Sequence, residues 1–293
     1  MSALEEVSPV TELSEARADE VLVDVAPSAF GDDIRRFVNL TYMLATTDFK
    51  LRYFGSALGY LWSLMRPLLF FGVLYVVFTK VFHAGAGIKG YPAYLLCSIV
   101  LWTFFLEATS GCVQCLVARE GLLRKMRFPR LVVPLAVCLT SLFNFGMNFV
   151  AVVVFAVLSG VSPRISWLEM PLLIALWAAL AVGVGMFLSV LYVRFRDIQP
   201  IWEVVGQILF YASPIIYVIT KYPASLQRPA MISPIAAILT QMRHAFVDAG
   251  APSAAAEIGA TWRLILPLGV IVVIFAIGLW CFNREAPRIS EHL

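Results

Sequence analysis

Long apolar stretches, each bounded by charged or turn-forming residues, dominate the chain from about residue 60 onward. About 20 apolar residues are enough for a helix to cross about 30 Å of hydrocarbon, because a helix rises about 1.5 Å per residue. Six stretches have about this length, so we expect an all-α, polytopic membrane protein with six transmembrane helices. They are Tyr60–Phe82, Tyr91–Val117, Val132–Val161, Trp167–Val193, Ile198–Ile219 and Leu264–Phe282.

A different pattern precedes the first span. Between Asp32 and Arg52, apolar residues recur at the spacing of one helix face, which predicts an amphipathic helix along the membrane surface. Trp62 follows at the junction with the span, where an aromatic belt at headgroup depth is expected. On spacing alone, a juxtamembrane helix without any partner is an equal alternative.

The 43 residues from Lys221 to Arg263 do not have the pattern of a plain loop. The apolar run Pro229–Leu239 is too short to cross and has the length of a re-entrant segment. We expect Gln241–Val247 to form a second short helix that returns from it. Non-helical backbone at membrane depth is tolerated only where protein or a cavity shelters it, so this region is expected beside a transport path.

Composition supports a membrane protein and suggests its orientation. The chain is 60% hydrophobic and 14% charged, which is far outside the usage of soluble domains. Nine of its 19 acidic residues precede Ile34, where Arg17 is the only base, and this predicts a disordered acidic tail over residues 1–31. No basic start leads into a short apolar core and a cleavage site, so we expect no cleaved signal peptide. With six spans, 15 of the 22 Lys and Arg residues lie on the side of the termini, which are therefore expected in the cytoplasm.

Few polar residues occur within the predicted spans. Glu107 is the one charge of the second span, and a carboxylate there is expected to face the protein interior or a water-filled path. A neutral Glu107 that only bonds a neighbouring helix is equally favoured. Asn144 and Asn148 share one face of the third span, which is typical of contacts between helices. Arg66 lies six residues into the first span, from where its long side chain can reach the headgroups.

Catalytic and nucleotide-binding motifs are absent from the sequence. It contains no G-x-x-x-x-G-K-[ST], no H-E-x-x-H and no G-x-S-x-G. Cys112 and Cys115 form a C-x-x-C, but the three scattered histidines do not complete a zinc site, and small apolar packing is favoured. We therefore expect a conduit or scaffold with no catalytic residue, no metal and no nucleic-acid partner.

Four motifs carry a resemblance to a known family. They are DFKLRYFGSALGYLWSLMRP at Asp48–Pro67, LLRKMRFPRLVVPL at Leu122–Leu135, the arginine and aspartate of Arg194–Ile198, and SPIIY at Ser213–Tyr217 followed by Ser233-Pro234 and Arg243. Together they resemble the ABC-2 type permeases that export polysaccharides, from about Ile34 to the end of the chain. Arg66 and Ser233 depart from the pattern, because the family often has Asn at both positions.

The resemblance implies the transmembrane subunit of an ATP-driven exporter that moves a lipid-linked polysaccharide across the cytoplasmic (inner) membrane. It implies a homodimer in contact with membrane lipids and with two copies of an ABC-type ATPase. ATP and Mg would be bound by that ATPase, and no cofactor by this chain. The implied parts are an interface helix over 32–56, a transmembrane domain over 57–283 and a cytoplasmic tail over 284–293.

Three sets of residues are candidates for the function so implied. The candidates for coupling to the ATPase lie in the basic loop Ala118–Arg130 and are Glu120, Leu122, Leu123, Arg124, Lys125, Met126 and Arg127. Those of the interface helix are Arg35, Arg36, Asp48, Lys50 and Arg52. Those of the channel lining are Phe70, Phe71, Tyr75, Trp102, Phe105, Glu107 and Tyr211.

Other interpretations stay open at this point. The bases of the loop could serve only the positive-inside bias or anionic headgroups. Each aromatic residue could simply contact lipid or pack in the core. The whole chain could also be an ABC-2 type exporter of a drug or lipid, a non-transporting scaffold or, with less support, a polytopic glycan-processing enzyme.

Overall fold

The computed structural model describes residues 34–53, 59–83, 85, 87–121 and 129–285, and every regular element in them is a helix. This confirms the predicted all-α class. The helices are α1 Ile34–Tyr53, α2 Gly59–Val76, α3 Tyr91–Ala118, α4 Val132–Leu158, α5 Met170–Arg194, α6 Ile198–Ala212, α7 Ala224–Ala230, α8 Pro234–Met242, α9 Ala254–Ile258 and α10 Ile265–Glu285. Wider π-helical turns, Val77–Val81 and Arg243–Val247, extend α2 and α8. The 3₁₀ turns Ile165–Glu169 and Thr261–Leu264 lead into α5 and α10.

Within the described part of the chain, five helices are long and apolar enough to cross a membrane. They are Leu61–Val81, Tyr91–Ala118, Val132–Leu158, Ile165–Arg194 and Thr261–Glu285. They correspond to the first four predicted spans and the sixth, with ends that differ by a few residues. The protein is therefore a multi-pass membrane protein.

The predicted fifth transmembrane helix, Ile198–Ile219, was wrong in its extent, because the helix ends at Ala212. Helix α6 has 15 residues, which at about 1.5 Å each give a length of about 22 Å. It ends because Ser213 precedes Pro214, and the proline ring disfavours helical geometry in the residue before it. Ser213 is extended accordingly, with φ −95° and ψ 154°. The count of six spans stays a prediction.

The backbone that follows α6 is irregular but sheltered by protein. Ile215, Ile216 and Val218 are buried. Tyr91 on α3 donates a hydrogen bond to the Ile216 carbonyl at 2.8 Å, and Tyr94 donates one to the Pro214 carbonyl. These bonds satisfy carbonyl groups that have no helical partner, which is the condition for irregular backbone in a membrane protein.

The region between α6 and α10 contains the expected short helices with one difference. Ser233 is extended, with φ −65° and ψ 125°, and Pro234 begins α8, as proline favours the first turn of a helix. Helix α8 then continues directly into the π-helical turn, so the separate returning helix Gln241–Val247 was wrong. The physical reason is that no glycine or proline lies between Thr240 and Val247 to turn the chain.

Helix α3 forms the centre of the fold and packs mainly against α4 and α5. Gly90 begins it with φ +63°, and a Cβ there would collide with the side chain of Val247. In the middle of α3, the Phe105 ring lies 5.4 Å from that of Trp177 on α5, and the Trp177 indole donates to the Leu101 carbonyl at 2.9 Å. Helix α3 thus contacts α2, α4, α5 and α6, and one of its faces lines the cavity described next.

Candidate functional site

A cavity of about 1200 Å³ opens between four helices and the end of α1. It is larger than the roughly 300–1,000 Å³ of ordinary small-molecule pockets. Helices α2, α3, α4 and α6 each contribute side chains, and α1 contributes Arg52 and Tyr53. Space of this size beside the central helix α3 makes the cavity a candidate site.

Aromatic rings cover one side of the cavity. Phe210 of α6 lies at their centre, with ring centroids 5.8 Å from Phe70 and 6.0 Å from Trp102. Tyr211 follows edge-on at 5.2 Å from Phe210, and Trp62 completes the wall from α2. Flat apolar rings with polar edges are suited to stacking against ring-shaped ligands.

A polar network forms another part of the cavity wall. Arg52 of α1 forms an ion pair with Glu107 of α3. Asn144 of α4 donates to the same carboxylate oxygen at 2.7 Å, and it accepts a hydrogen bond from the Tyr53 hydroxyl at 2.6 Å. One network therefore ties α1, α3 and α4 together at the cavity wall.

The network explains how Glu107 is tolerated in a membrane helix. Its side chain is 29% exposed, and its charge is matched by Arg52, whose side chain is 47% exposed. Burial of an unpaired charge would be costly, but pairing and hydrogen bonding remove most of that cost. Glu107 thus faces a cavity and also bonds the neighbouring helix α4, and its role in transport stays a prediction.

Helix α1 packs against α4 and the end of α3 and is bonded to both. The Thr140 hydroxyl of α4 donates to the Ala45 carbonyl at 3.2 Å, and the ring of Phe143 lies 5.8 Å from that of Phe49. Asp48 forms an ion pair with Arg119, the residue at which α3 ends. The partner of α1 is thus this chain itself, and α1 connects the cavity wall with the start of the basic loop.

The remaining interface candidates lie on the outer side of α1. Arg35, Arg36 and Lys50 are exposed. Met43 lies seven residues from both Arg36 and Lys50, on the same face of the helix, and its apolar side chain is exposed as well. The outer face of α1 therefore combines bases with apolar surface.

Most of the coupling candidates lie outside the described residues. Glu120 belongs to the end of the described segment 87–121 and comes directly after Arg119. The structure does not describe Leu122, Leu123, Arg124, Lys125, Met126 and Arg127. The coupling role of the loop stays a prediction.

The structure brings together four of the seven channel candidates. Phe70, Trp102, Glu107 and Tyr211 line the cavity. The other three do not: Phe71 stacks on Tyr75 with centroids 5.6 Å apart, and Phe105 is 2% exposed in the core. Core packing accounts for Phe71 and Phe105, and a channel role for these three stays a prediction.

Several cavity residues were not singled out from the sequence as site residues, among them Tyr53, Asn144 and Arg66. Tyr53 and Asn144 meet across 91 positions of sequence, which no local pattern reveals. Arg66, interpreted as a headgroup anchor, also belongs to the cavity wall. Its spacing of four residues from Trp62 and from Phe70 is the signal that could have indicated a common face.

Metal-binding chemistry has no support in the part of the chain that the structure describes. No group of three or more His, Cys, Asp or Glu side chains there could hold an ion. Cys112 lies 3.5 Å from Cys138, with both thiols buried between helices.

A second polar cluster lies at the other end of the fold. Gln241 donates to the Glu169 carboxylate at 2.7 Å and accepts from the Ala254 amide at 3.0 Å. Nearby, burial raises the pKa of the Glu257 carboxyl, and the charge of Arg243 opposes that rise. These contacts hold the short helices in place.

Comparison with known proteins identifies relatives over most of the chain. A family model described as "ABC-2 type transporter" matches residues 39–247. The O-antigen export system permease protein RfbA of Klebsiella pneumoniae is 27% identical over 257 residues, which cover 87% of this chain and 95% of that protein. The permease of the same name from Myxococcus xanthus is 26% identical, over 76% of this chain and 85% of its own. The polysialic acid transport protein KpsM of Escherichia coli is 18% identical, over 82% and 91%.

Proposed function

Because the chain belongs to the ABC-2 type transporter family, we propose that it is the membrane subunit of an ATP-driven exporter of lipid-linked polysaccharide. Relatives named for O-antigen export and for polysialic acid transport support the class of substrate. Their similarity extends over nearly their whole length, so it covers the spans, the short helices and the cavity alike.

The observation that carries the proposal is the wall of the cavity. It combines the rings of Trp62, Trp102 and Tyr211 with the amide groups of Asn148 and Gln207. Sugar rings present apolar faces and hydroxyl edges, so a path for a glycan needs both kinds of surface. A cavity lined only by aliphatic groups would favour a lipid or drug instead.

The proposal includes partners that complete the transporter. An ATPase of the ABC class is the expected partner of a permease of this family, and we assign two copies of it to a dimer of this chain. The ATPase binds ATP and Mg, and this chain contributes no cofactor. The basic loop and the outer face of α1 are the surfaces that we assign to the ATPase, because they are joined through Asp48 and Arg119.

Deletion and complementation test the export function. In the native host, deletion of the gene is expected to trap lipid-linked polysaccharide inside the cell, and the wild-type chain is expected to restore it to the surface. Glu107→Gln should restore less, while the chain still folds and copurifies with the ATPase. Unchanged surface polysaccharide in the deletion strain would overturn the proposed function, and full export by Glu107→Gln would remove Glu107 from it.

The loop is tested by changing shape separately from charge. Leu123→Asp removes apolar contact from the loop and is expected to uncouple ATP hydrolysis from export without loss of membrane insertion. Lys125→Arg keeps the charge and should be tolerated. If copurified ATPase and export both survive Leu123→Asp, the outer face of α1 becomes the coupling surface.

Orientation is tested with single cysteines. With both termini in the cytoplasm, Ser225→Cys on the exposed side of α7 should react with a membrane-impermeant maleimide added to intact cells. Arg288→Cys should react only after lysis. Reaction of Ser225→Cys only after lysis would contradict this orientation.

A further inference from the structure

Arg66 is an unmatched charge in the cavity wall. The charged residues in that wall are Arg52, Arg66 and Glu107, and Glu107 is already paired with Arg52. Among the residues that the structure describes, Arg66 has neither a hydrogen bond nor an ion pair. The guanidinium is always charged, so the wall carries one net positive charge at this point.

The surroundings of Arg66 indicate an amphipathic ligand. Trp62, Arg66 and Phe70 are four residues apart on α2 and therefore share one face, which lines the cavity. Arg66 is the eighth residue of α2, about 10 Å from its start at about 1.5 Å per residue. From there the long side chain can reach the headgroups, where phosphate is the anion that a membrane carries.

We propose that Arg66 and the adjoining cavity wall form a binding site for a lipid-borne phosphate group. The guanidinium fork binds phosphate oxygens in bidentate fashion, and the rings of Trp62 and Phe70 contact the apolar chain. Ser110 of α3 is a neutral hydrogen-bond donor in the same wall. The phosphate belongs either to a resident phospholipid or to the lipid that carries the glycan. The site deepens the proposed function and rests on it, but it is measured by binding rather than by export.

Binding of short probes to the purified full chain in maltoside detergent tests the site. The fluorescence of Trp62 and Trp102 in the wall reports titration with decyl phosphate. Three control probes accompany it. Decanol has the alkyl tail without a charge, decanoate has the tail with a carboxylate, and inorganic phosphate has the anion without a tail. We expect decyl phosphate to bind at least about tenfold more tightly than decanol and inorganic phosphate, each of which lacks half of the ligand. It should also bind more tightly than decanoate, because a phosphate ester carries more negative charge than a carboxylate.

Substitutions of Arg66 test whether the affinity for decyl phosphate depends on this side chain. Arg66→Gln should weaken decyl phosphate binding about tenfold. Arg66→Lys keeps the charge but loses the bidentate contact, so its affinity should lie between those of wild type and Arg66→Gln. Arg164→Gln changes an exposed arginine outside the cavity and should have no effect. Thermal unfolding of each variant checks that it is folded.

The outcomes separate the sources of phosphate and can overturn the site. Equal binding of dioctanoyl phosphatidylglycerol assigns the site to resident phospholipid, and preference for the single-chain ester assigns it to the glycan carrier. Wild-type affinity in folded Arg66→Gln would overturn the site, as would equal binding of decanol or decanoate by the wild-type chain. If Arg66→Gln does not fold, Arg66→Lys and the probe series on the wild-type chain still decide. If Arg66→Gln no longer binds decyl phosphate but export is unchanged, the phosphate site is not required for export and the proposed function is not contradicted.

Discussion

Helices α3 and α2 are both apolar enough to cross a membrane, but they occupy opposite environments. Of the most apolar stretch of α3, 72% is buried in protein, against 11% for the corresponding stretch of α2 and the turn that extends it. Helix α3 is enclosed by α4 and α5, whereas α2 turns most of its surface outward. The cavity forms where the outward-facing helix leaves one strip of the central helix uncovered. Residues for function are thus expected on that strip, and residues for stability elsewhere on α3.

The largest difference in stability is expected between two phenylalanine variants, one on α3 and one on α2. Phe105 is 2% exposed in α3, and Phe70 is 45% exposed in α2. Phe105→Ala leaves a cavity between tryptophan rings and should lower the free energy of unfolding by about 3–5 kcal/mol. Phe70→Ala should lower it by about 1 kcal/mol or less. Unfolding of the purified chain in mixed micelles measures both, and equal losses would mean that the burial contrast does not govern stability.

A second pair of variants tests the close packing of α10, a mostly outward-facing helix, against α5. In α10, only 17% of the most apolar stretch is buried, yet Gly278 lies directly against the backbone of Gly183 in α5. Gly278→Ala should destabilise the chain by about 1–3 kcal/mol, because the methyl group has no space.

The control for this pair lies on the same helix. Gly269 has open space where a Cβ would be. Gly269→Ala should therefore be neutral or stabilising by up to about 1 kcal/mol, the gain in helix propensity. A similar loss in both glycine variants would refute the close approach of α5 and α10.

The smallest effect on stability is expected from the ion pair at the uncovered strip of α3. Arg52 and Glu107 are both partly exposed, so their pairing should contribute only about 0.5–1 kcal/mol to stability. A double-mutant cycle with Arg52→Gln and Glu107→Gln in the same unfolding assay measures this coupling. A coupling energy of several kcal/mol would make the ion pair a structural element of the fold rather than part of a site.

Prediction from sequence was most successful for local features. The predicted starts at Tyr91 and Val132 coincide with those of α3 and α4. The backbone preferences of Gly90 and Pro234 explain where α3 and α8 begin. The end of α6 at Ser213-Pro214 follows the same local rule, but the apolar run continued through it and was interpreted as one span. The returning helix was misplaced for a related reason, because hydrophobicity alone does not distinguish a break from a continuation.

Prediction of the cavity was less complete because its contacts are distant in sequence. Arg52 meets Glu107 across 55 positions, and Arg119 meets Asp48 across 71. Phe71 and Phe105 have the same residue type as Phe70 and Phe210, and only their helix faces separate core from cavity. No spacing rule within one helix provides that information.

The sequence by itself determined that this is a helical membrane protein, where most of its long helices lie and which family it resembles. Only the tertiary structure decided that α3 is central, that α2 is peripheral and that Arg66 faces a cavity. The physical reason is that lipid tails and protein interiors are almost equally apolar. A hydrophobic pattern therefore shows that a segment leaves water, and the packing of the other helices determines whether it meets lipid, protein or a path between them.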